Sequence, residues 1–100
     1  MPAKRALIMH PSDNVATAVE EIQAGEEVAI PLPGAARSLR AVEAIPFGFK
    51  VALEAIPAGA VIVKYGETIG KASRPIAEGT LVHIHNLEGT RARGDLEKRG

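Results

Sequence analysis

The sequence contains no cysteine and no tryptophan, and its only aromatic residues are Phe47, Phe49 and Tyr65. Without cysteine there is no disulfide framework, no thiolate metal site and no thiol nucleophile. With so few rings the core has to be aliphatic, built from Val, Ile, Leu and Ala, and 46% of the 100 residues are hydrophobic. An excess of one charge is missing too. Twelve Lys plus Arg balance twelve Asp plus Glu, so no global field draws in nucleic acid or an anionic membrane surface. The apolar run near the amino terminus, Ala6 to Met9, is too short for a signal-peptide core or a membrane span. These absences predict a soluble cytoplasmic protein without nucleic-acid or membrane partners. The length predicts one domain with a modest core.

Several catalytic signatures are also missing. No glycine-rich phosphate loop precedes a helix, no serine sits in a nucleophile elbow, and no carboxylate pair suits glycoside chemistry.

What the chain does have is punctuation by glycine. The pattern Ile-x-x-Gly-x-x-Val/Ile occurs four times: Ile22-Gly25-Val28, Ile45-Gly48-Val51, Ile56-Gly59-Ile62 and Ile76-Gly79-Val82. Spacings between copies are irregular, which excludes a solenoid of fixed period. Each copy reads as one device: an Ile anchors the end of a turn, a Gly takes a backbone shape closed to other residues, and a strand leaves with its first Val or Ile inward. Pro46 and Pro57 stiffen two of the turns. Four such entries imply at least four strands.

Around the repeats, Lys4 to His10 reads as a strand ended by Pro11 and the turn-prone Ser12-Asp13-Asn14. From Val15 the pattern fits either a helix capped by Ser12 or Asp13, or a strand through Val15 to Ala18. Pro31 to Ala36 reads as a turn-rich connection that strands avoid. Val61 to Tyr65 reads as a buried strand, followed by a turn through Gly66. Leu81 to His85 reads as the last strand, with Leu81, His83 and His85 on one face and Val82 and Ile84 on the other. The boundaries that follow are a β domain over 1–89 and a flexible tail over 90–100, where apolar residues nearly vanish.

Few residues are left to carry chemistry. Two residues apart on a strand, His83 and His85 would share a face and could grip one divalent ion, with His10, Asp13 or Glu67 completing the set. On a solvent face the same two histidines would be ordinary polar residues. Lys64-Tyr65-Gly66-Glu67 places a cation, a phenol and an acid beside a glycine, which suits the carboxylate and hydroxyls of a sugar acid. It equally suits a solvated turn capping the core. The alternation of Arg91 and Arg93 with small residues is either a disordered basic tail or a segment that docks on another subunit or an anionic ligand.

In the stretches His10-Pro11-x-Asp13-Asn14-Val15-Ala16, Ile45-Pro46-x-Gly48-x-Lys50-Val51-Ala52-Leu53, Lys64-Tyr65-Gly66-Glu67-x-Ile69-Gly70 and Val82-His83-x-His85-Asn86, the chain resembles a known family. The likeness is to the amino-terminal region of altronate and galactarate dehydratases. The free-standing small (alpha) subunit of sulfolactate sulfo-lyase is similar as well. The region belongs to the SAF superfamily, whose β-clip fold also occurs in type III antifreeze proteins and at the end of sialic acid synthases. The resemblance runs from about His10 to Asp95.

This resemblance implies a mostly β, SAF-like β-clip with short helical turns, and a strand at Val15 to Ala18. It implies a small subunit of a hydro-lyase or related lyase that is inactive alone and works with a separately encoded large subunit. The reaction implied is β-elimination from a sugar acid or other hydroxy acid, with a divalent metal (Fe, Mn or Zn) as cofactor. It strengthens His83, His85 and His10 as metal ligands, and puts Lys50, Lys64, Tyr65, Glu67 and Asn86 at the substrate. General acid and base stay unassigned. In isolation the chain is expected to form homo-oligomers through exposed strand edges. One position departs from the pattern: the family usually reads Gly-His-Lys where this chain has Gly48-Phe49-Lys50. Because Phe neither ligates metal nor moves protons, the alternative is a non-catalytic SAF module that binds a sugar acid or a partner protein.

Overall fold

The computed structural model describes residues 3–89. Among them every regular element is a strand: β1 Lys4–Leu7, β2 Val15–Ala18, β3 Glu27–Leu32, β4 Ala35–Arg40, β5 Lys50–Ala52, β6 Val61–Lys64, β7 Glu67–Ala72, β8 Leu81–Val82 and β9 Leu87–Glu88. One sheet runs β4-β3-β1-β2-β5-β8 and a second runs β6-β7-β9. The fold is the small β domain that the sequence predicts. Val15 to Ala18 resolves to a strand, its alternatives decided by pairing with β1 on one side and β5 on the other. No described helix is long and apolar enough to cross a membrane.

The four repeats are four copies of one turn. Gly25, Gly48, Gly59 and Gly79 have φ of 88°, 87°, 85° and 85°. In each copy the residue after the glycine donates its N–H to the carbonyl two residues before it, as Glu26 does to Gln23 (3.1 Å) and Phe49 to Pro46 (3.0 Å). A closed turn with positive φ at its third position is a type II turn, which calls for glycine there. The glycine N–H then reaches out to another segment: Gly48 to Ala18 O (2.8 Å), Gly79 to Ala52 O (2.9 Å). The repeat isoleucines pair with one another. Ile22 bridges Ile45 and Ile56 bridges Ile76, each through reciprocal backbone bonds of 2.8–2.9 Å. All four are buried, and each buried Ile contributes roughly 1.5–3 kcal/mol.

Each pair of copies organises its own core. Ile22 and Ile45 pack with Ala6, Val28, Ile30, Leu39 and their neighbours, while Ile56 and Ile76 pack with Ile62, Ala72 and Val82. Strands β2 and β5 lie between the two. Alternation along them sends Ala16, Ala18 and Val51 into the first core, and Val15 and Ala52 into the second. Arg37 on β4 ties the halves together, donating to the Leu53 carbonyl and pairing with Glu78 at 3.1 Å.

Several expectations fail in detail: β1 stops at Leu7 and not at His10, and β6 ends at Lys64 with Val61 exposed and not buried. Pro31 to Ala36 is not a strand-free connection: β3 and β4 continue through it as a hairpin, turning at Pro33-Gly34, with Pro31 opposite Ala36. Pro31 is tolerated because β1 pairs with β3 at Val28 and Ala29, so the hairpin arm beyond needs no N–H on that side. The strand predicted over Leu81 to His85 is shorter, ending at Val82, and it is not the last, since β9 follows at Leu87–Glu88. Residues 83–86 form a turn, with Asn86 N–H and Leu87 N–H both donating to His83 O at 3.0 and 2.8 Å.

Candidate functional site

The site is built around a buried carboxylate. His10-Pro11-Ser12-Asp13 is a β-turn closed by Asp13 N–H to His10 O at 3.0 Å, with proline in its favoured second position. This aims the Asp13 side chain back along the loop and across to the β6–β7 hairpin. Its Oδ2 accepts the N–H groups of Met9 (3.1 Å) and His10 (3.2 Å), and its Oδ1 accepts that of Gly66 (2.8 Å). Burial by itself pushes the Asp13 carboxyl up. The backbone donors Gly66, Met9, Tyr65 and His10 together outweigh it and hold the group below its ordinary value of 3.8. Asn14 continues the link. Its side chain donates to Val61 O (3.0 Å) and accepts from Val63 N–H (2.8 Å), so the residue completes a ladder beside β6. The family-like Asp13-Asn14 pair therefore joins the two sheets.

The hairpin that Asp13 grips is unusual. Tyr65 has φ of 56° and Gly66 of 75°, the two positive values that a two-residue primed turn requires. Gly66 is there for a second reason: a β-carbon on it would lie 2.8 Å from the His10 ring. Tyr65 carries the cost of the left-handed conformation, roughly 1–2 kcal/mol for a residue with a side chain. The Lys64 ammonium stands 4.8 Å from the Tyr65 ring centroid, a cation–π contact of about 0.5–1 kcal/mol that offsets part of it.

His10 is fixed on two sides. Its ring rests on Gly66, and its Nδ1 accepts from Ser12 N–H at 3.1 Å with Ser12 Oγ at 2.8 Å. The residue also lines a groove of about 430 Å³ whose other walls are Ile8, Met9, Pro11, Pro31, Leu32 and Pro33. Lys50 lies on β5 between Thr17 and Val82. Burial first, and then the neighbouring Lys64 ammonium, hold its amine below the usual lysine value of 10.5. Among the described residues neither Lys50 nor Lys64 has a carboxylate within salt-bridge distance.

The structure thus gathers His10, Lys64 and Tyr65 around one turn, with Glu67 opposite Lys64 across the hairpin and Lys50 within electrostatic reach. The remaining residues are arranged differently from the strand-face picture. Asn86, expected at the substrate, is buried, and its amide spans the 83–86 turn by accepting His83 N–H (2.9 Å) and donating to Leu81 O (2.8 Å). His83 packs against the ring of Phe49, centroids 4.8 Å apart, and His85 is exposed on the turn. Among the described residues no three His, Asp or Glu side chains converge to hold a metal ion. Ser12 is a participant that sequence reasoning treated only as a turn former or helix cap. Its signal was its place two residues after a histidine and directly after a proline. The tail over 90–100, with Arg91 and Arg93, lies outside the described residues.

Comparison with known proteins accounts for this conjunction. The altronate/galactarate dehydratase SAF domain model matches residues 4–90. Altronate dehydratase of Bacillus subtilis is 39% identical over 85 residues, which are 85% of this chain and 16% of that protein. Galactarate dehydratase (L-threo-forming) of Escherichia coli is 41% identical over 76 residues, 74% of this chain and 13% of that protein. The chain therefore spans only a small fraction of the length of these curated relatives. A (2R)-sulfolactate sulfo-lyase subunit alpha, from Chromohalobacter salexigens, is 28% identical over 85 residues, 81% of this chain and 90% of that subunit. With that family model matched over nearly all of the described residues, the chain belongs to the altronate/galactarate dehydratase SAF domain family.

Proposed function

We propose that this chain is the acid-binding module of a lyase that removes water or sulfite from a hydroxy acid by β-elimination, acting with a larger, separately encoded polypeptide. The observation that carries the reading is the Lys50–Lys64 pair. Lys50 is half-buried, the Lys64 ammonium stands near enough to lower its pKa, and among the described residues neither has a carboxylate within salt-bridge distance, so an anion would complete the site. A substrate carboxylate or sulfonate supplies that anion. The partner in this proposal rests on a second fact: a subunit named alpha has nearly the scope of this chain.

Elimination next to a carboxylate needs that carboxylate held while charge builds up on it, because the proton beside it is only weakly acidic. Lys50 and Lys64 do the holding. Tyr65 fixes Lys64 from below and offers a phenol to a substrate hydroxyl, and Glu67 and His10 border the same turn. General acid and base are left to the larger polypeptide or to residues it orders. A divalent metal does not fit the described donors alone, since among the described residues no three His, Asp or Glu side chains converge. A shared site, with further ligands from the larger polypeptide, is the form a metal takes in this proposal. It would supply positive charge to the enolate-like intermediate.

One observation favours a second reading. Phe49, where the family pattern has histidine, packs on His83, which suits a module that binds the acid without turning it over. The experiment that separates the two is co-expression with a large-subunit candidate of the same lyase family, followed by assay of altronate, galactarate and sulfolactate. The lyase reading expects turnover that Lys50→Met and Lys64→Met each reduce at least tenfold in kcat/KM. Binding of an acid without turnover by the complete complex establishes the second reading. Neither binding nor turnover on any of the three acids overturns both.

A further inference from the structure

The contacts around His10 go further, to the level of which ring nitrogen carries the proton. A backbone N–H can only donate. With Ser12 N–H directed at Nδ1 at 3.1 Å, that nitrogen is the acceptor, and the Ser12 hydroxyl at 2.8 Å must then donate to it as well. In the neutral imidazole the single proton is left to Nε2. The two donors also favour this ring orientation, since a ring turned by 180° would set a carbon where Nδ1 accepts from both.

We infer that Ser12 is a positioning residue whose backbone N–H holds His10 in its Nε2–H form, so that His10 meets an acid bound at the neighbouring hairpin as a hydrogen-bond donor and not as a metal ligand through Nε2. The ligand in this statement rests on the acid-binding reading above, whereas the ring chemistry does not. A metal-binding histidine offers the lone pair of one nitrogen and usually anchors the other as a donor to a carbonyl or carboxylate. Here the second nitrogen meets donors, which is the opposite arrangement. It suits an oxygen-rich anion, whose lone pairs accept from Nε2–H. The groove beside it is lined otherwise by apolar and proline residues, which leaves His10 as the polar group on that wall.

The test reads the ring directly. Nitrogen-15 spectra of the histidine side chains in the free chain, above the titration range of imidazole, should show His10 Nδ1 pyridine-like and Nε2 pyrrole-like. Ser12→Ala keeps the backbone donor and removes a hydroxyl that can serve either tautomer, so Nδ1 should stay pyridine-like in that variant. Zinc added to the free chain should leave the His10 ring signals in place. A reversed or averaged pattern in the parent or in Ser12→Ala, or a zinc-shifted Nε2, overturns the inference. In the assembled enzyme, His10→Gln keeps an N–H donor near the Nε2 position and should stay within about tenfold of the parent KM, while His10→Leu should lose a further tenfold. Equal losses in the two variants overturn the donor role. The spectra need no substrate, so a complex without turnover refutes the lyase reading and leaves the tautomer to be judged on its own signals.

Discussion

The Asp13 carboxylate gives the sharpest prediction, because one substitution removes its charge and keeps its shape. In Asp13→Asn one oxygen becomes an NH₂ group. Asn can accept either from Gly66 or from Met9 and His10, and the other side then faces donor to donor. Hydrogen bonds to a charged acceptor contribute about 1.5–3 kcal/mol each and less where water replaces them, so the expected loss is about 2 kcal/mol. For a domain of this length that is a fall in Tm of roughly 8–16 °C, measurable by circular dichroism with urea titration as a check. The pH dependence supplies a second handle. The folded-state pKa lies below the ordinary 3.8. The stability this group contributes is therefore fully present above 3.8 and is lost as pH falls through the lower, folded value. The difference between parent and variant should be flat from pH 7 to about 5 and shrink only at greater acidity. A difference below about 0.5 kcal/mol at pH 7, or one that already fades above pH 5, refutes the carboxylate as the fastener of the 65–66 turn.

Three further outcomes follow from the same structure. Gly25→Ala and Gly79→Ala impose the same left-handed strain, but only at Gly79 does the new β-carbon collide with a backbone oxygen, that of Arg40. Urea unfolding should show about 1–2 kcal/mol lost at Gly25 and roughly 3–5 at Gly79. Asn86→Ala strips partners from His83 N–H and Leu81 O in a buried setting, and a loss of about 2–3 kcal/mol should come with displaced His83 and His85 signals in nuclear magnetic resonance spectra. Folding disfavours the Lys50 ammonium, a cost present below its folded-state pKa and relieved as pH rises through it toward 10.5. Lys50→Met should therefore be neutral or stabilising at pH 7. Calorimetry on the complex should show galactarate binding that weakens as pH rises through the Lys50 pKa, a dependence that Lys50→Met abolishes.

Much of the fold was written in short-range chemistry, and that part could be read directly. The Ile-x-x-Gly repeat specified four buried isoleucines and four glycines with positive φ because a type II turn is decided by a few adjacent residues. The pairing of Ile22 with Ile45 and of Ile56 with Ile76 was not legible, since it depends on where chains separated by about twenty residues meet. The strand predicted through His83 and His85 fails for a specific reason: alternation describes the backbone's preference, and the Asn86 amide competes for the same backbone groups and bends the chain. At the site, the family-like motifs picked out Lys50, Lys64, Tyr65 and His10. Their electrostatics stayed hidden, because Lys50 reads as a polar strand residue until β5 is placed between two cores.

That placement also explains why the site lies where it does. Strands β2 and β5 present apolar side chains to both cores, so their middles have no face free for chemistry. Polar residues are tolerated only near the ends of these strands, where Lys50 and Thr17 sit opposite each other, and on the loops that leave them. The His10–Asp13 turn leads into β2 and the Tyr65–Gly66 turn joins β6 to β7 in the second sheet, and both are too exposed for packing to fix their position. Asp13 and Asn14 do this with hydrogen bonds to Gly66, Val61 and Val63. The residues nearest the proposed chemistry are thus held by directional bonds to backbone groups, whose geometry tolerates less change than an apolar contact of the same strength. Substitutions in either core should lower stability and leave the site's geometry alone, whereas substitutions in the Asp13–Asn14 junction should alter both.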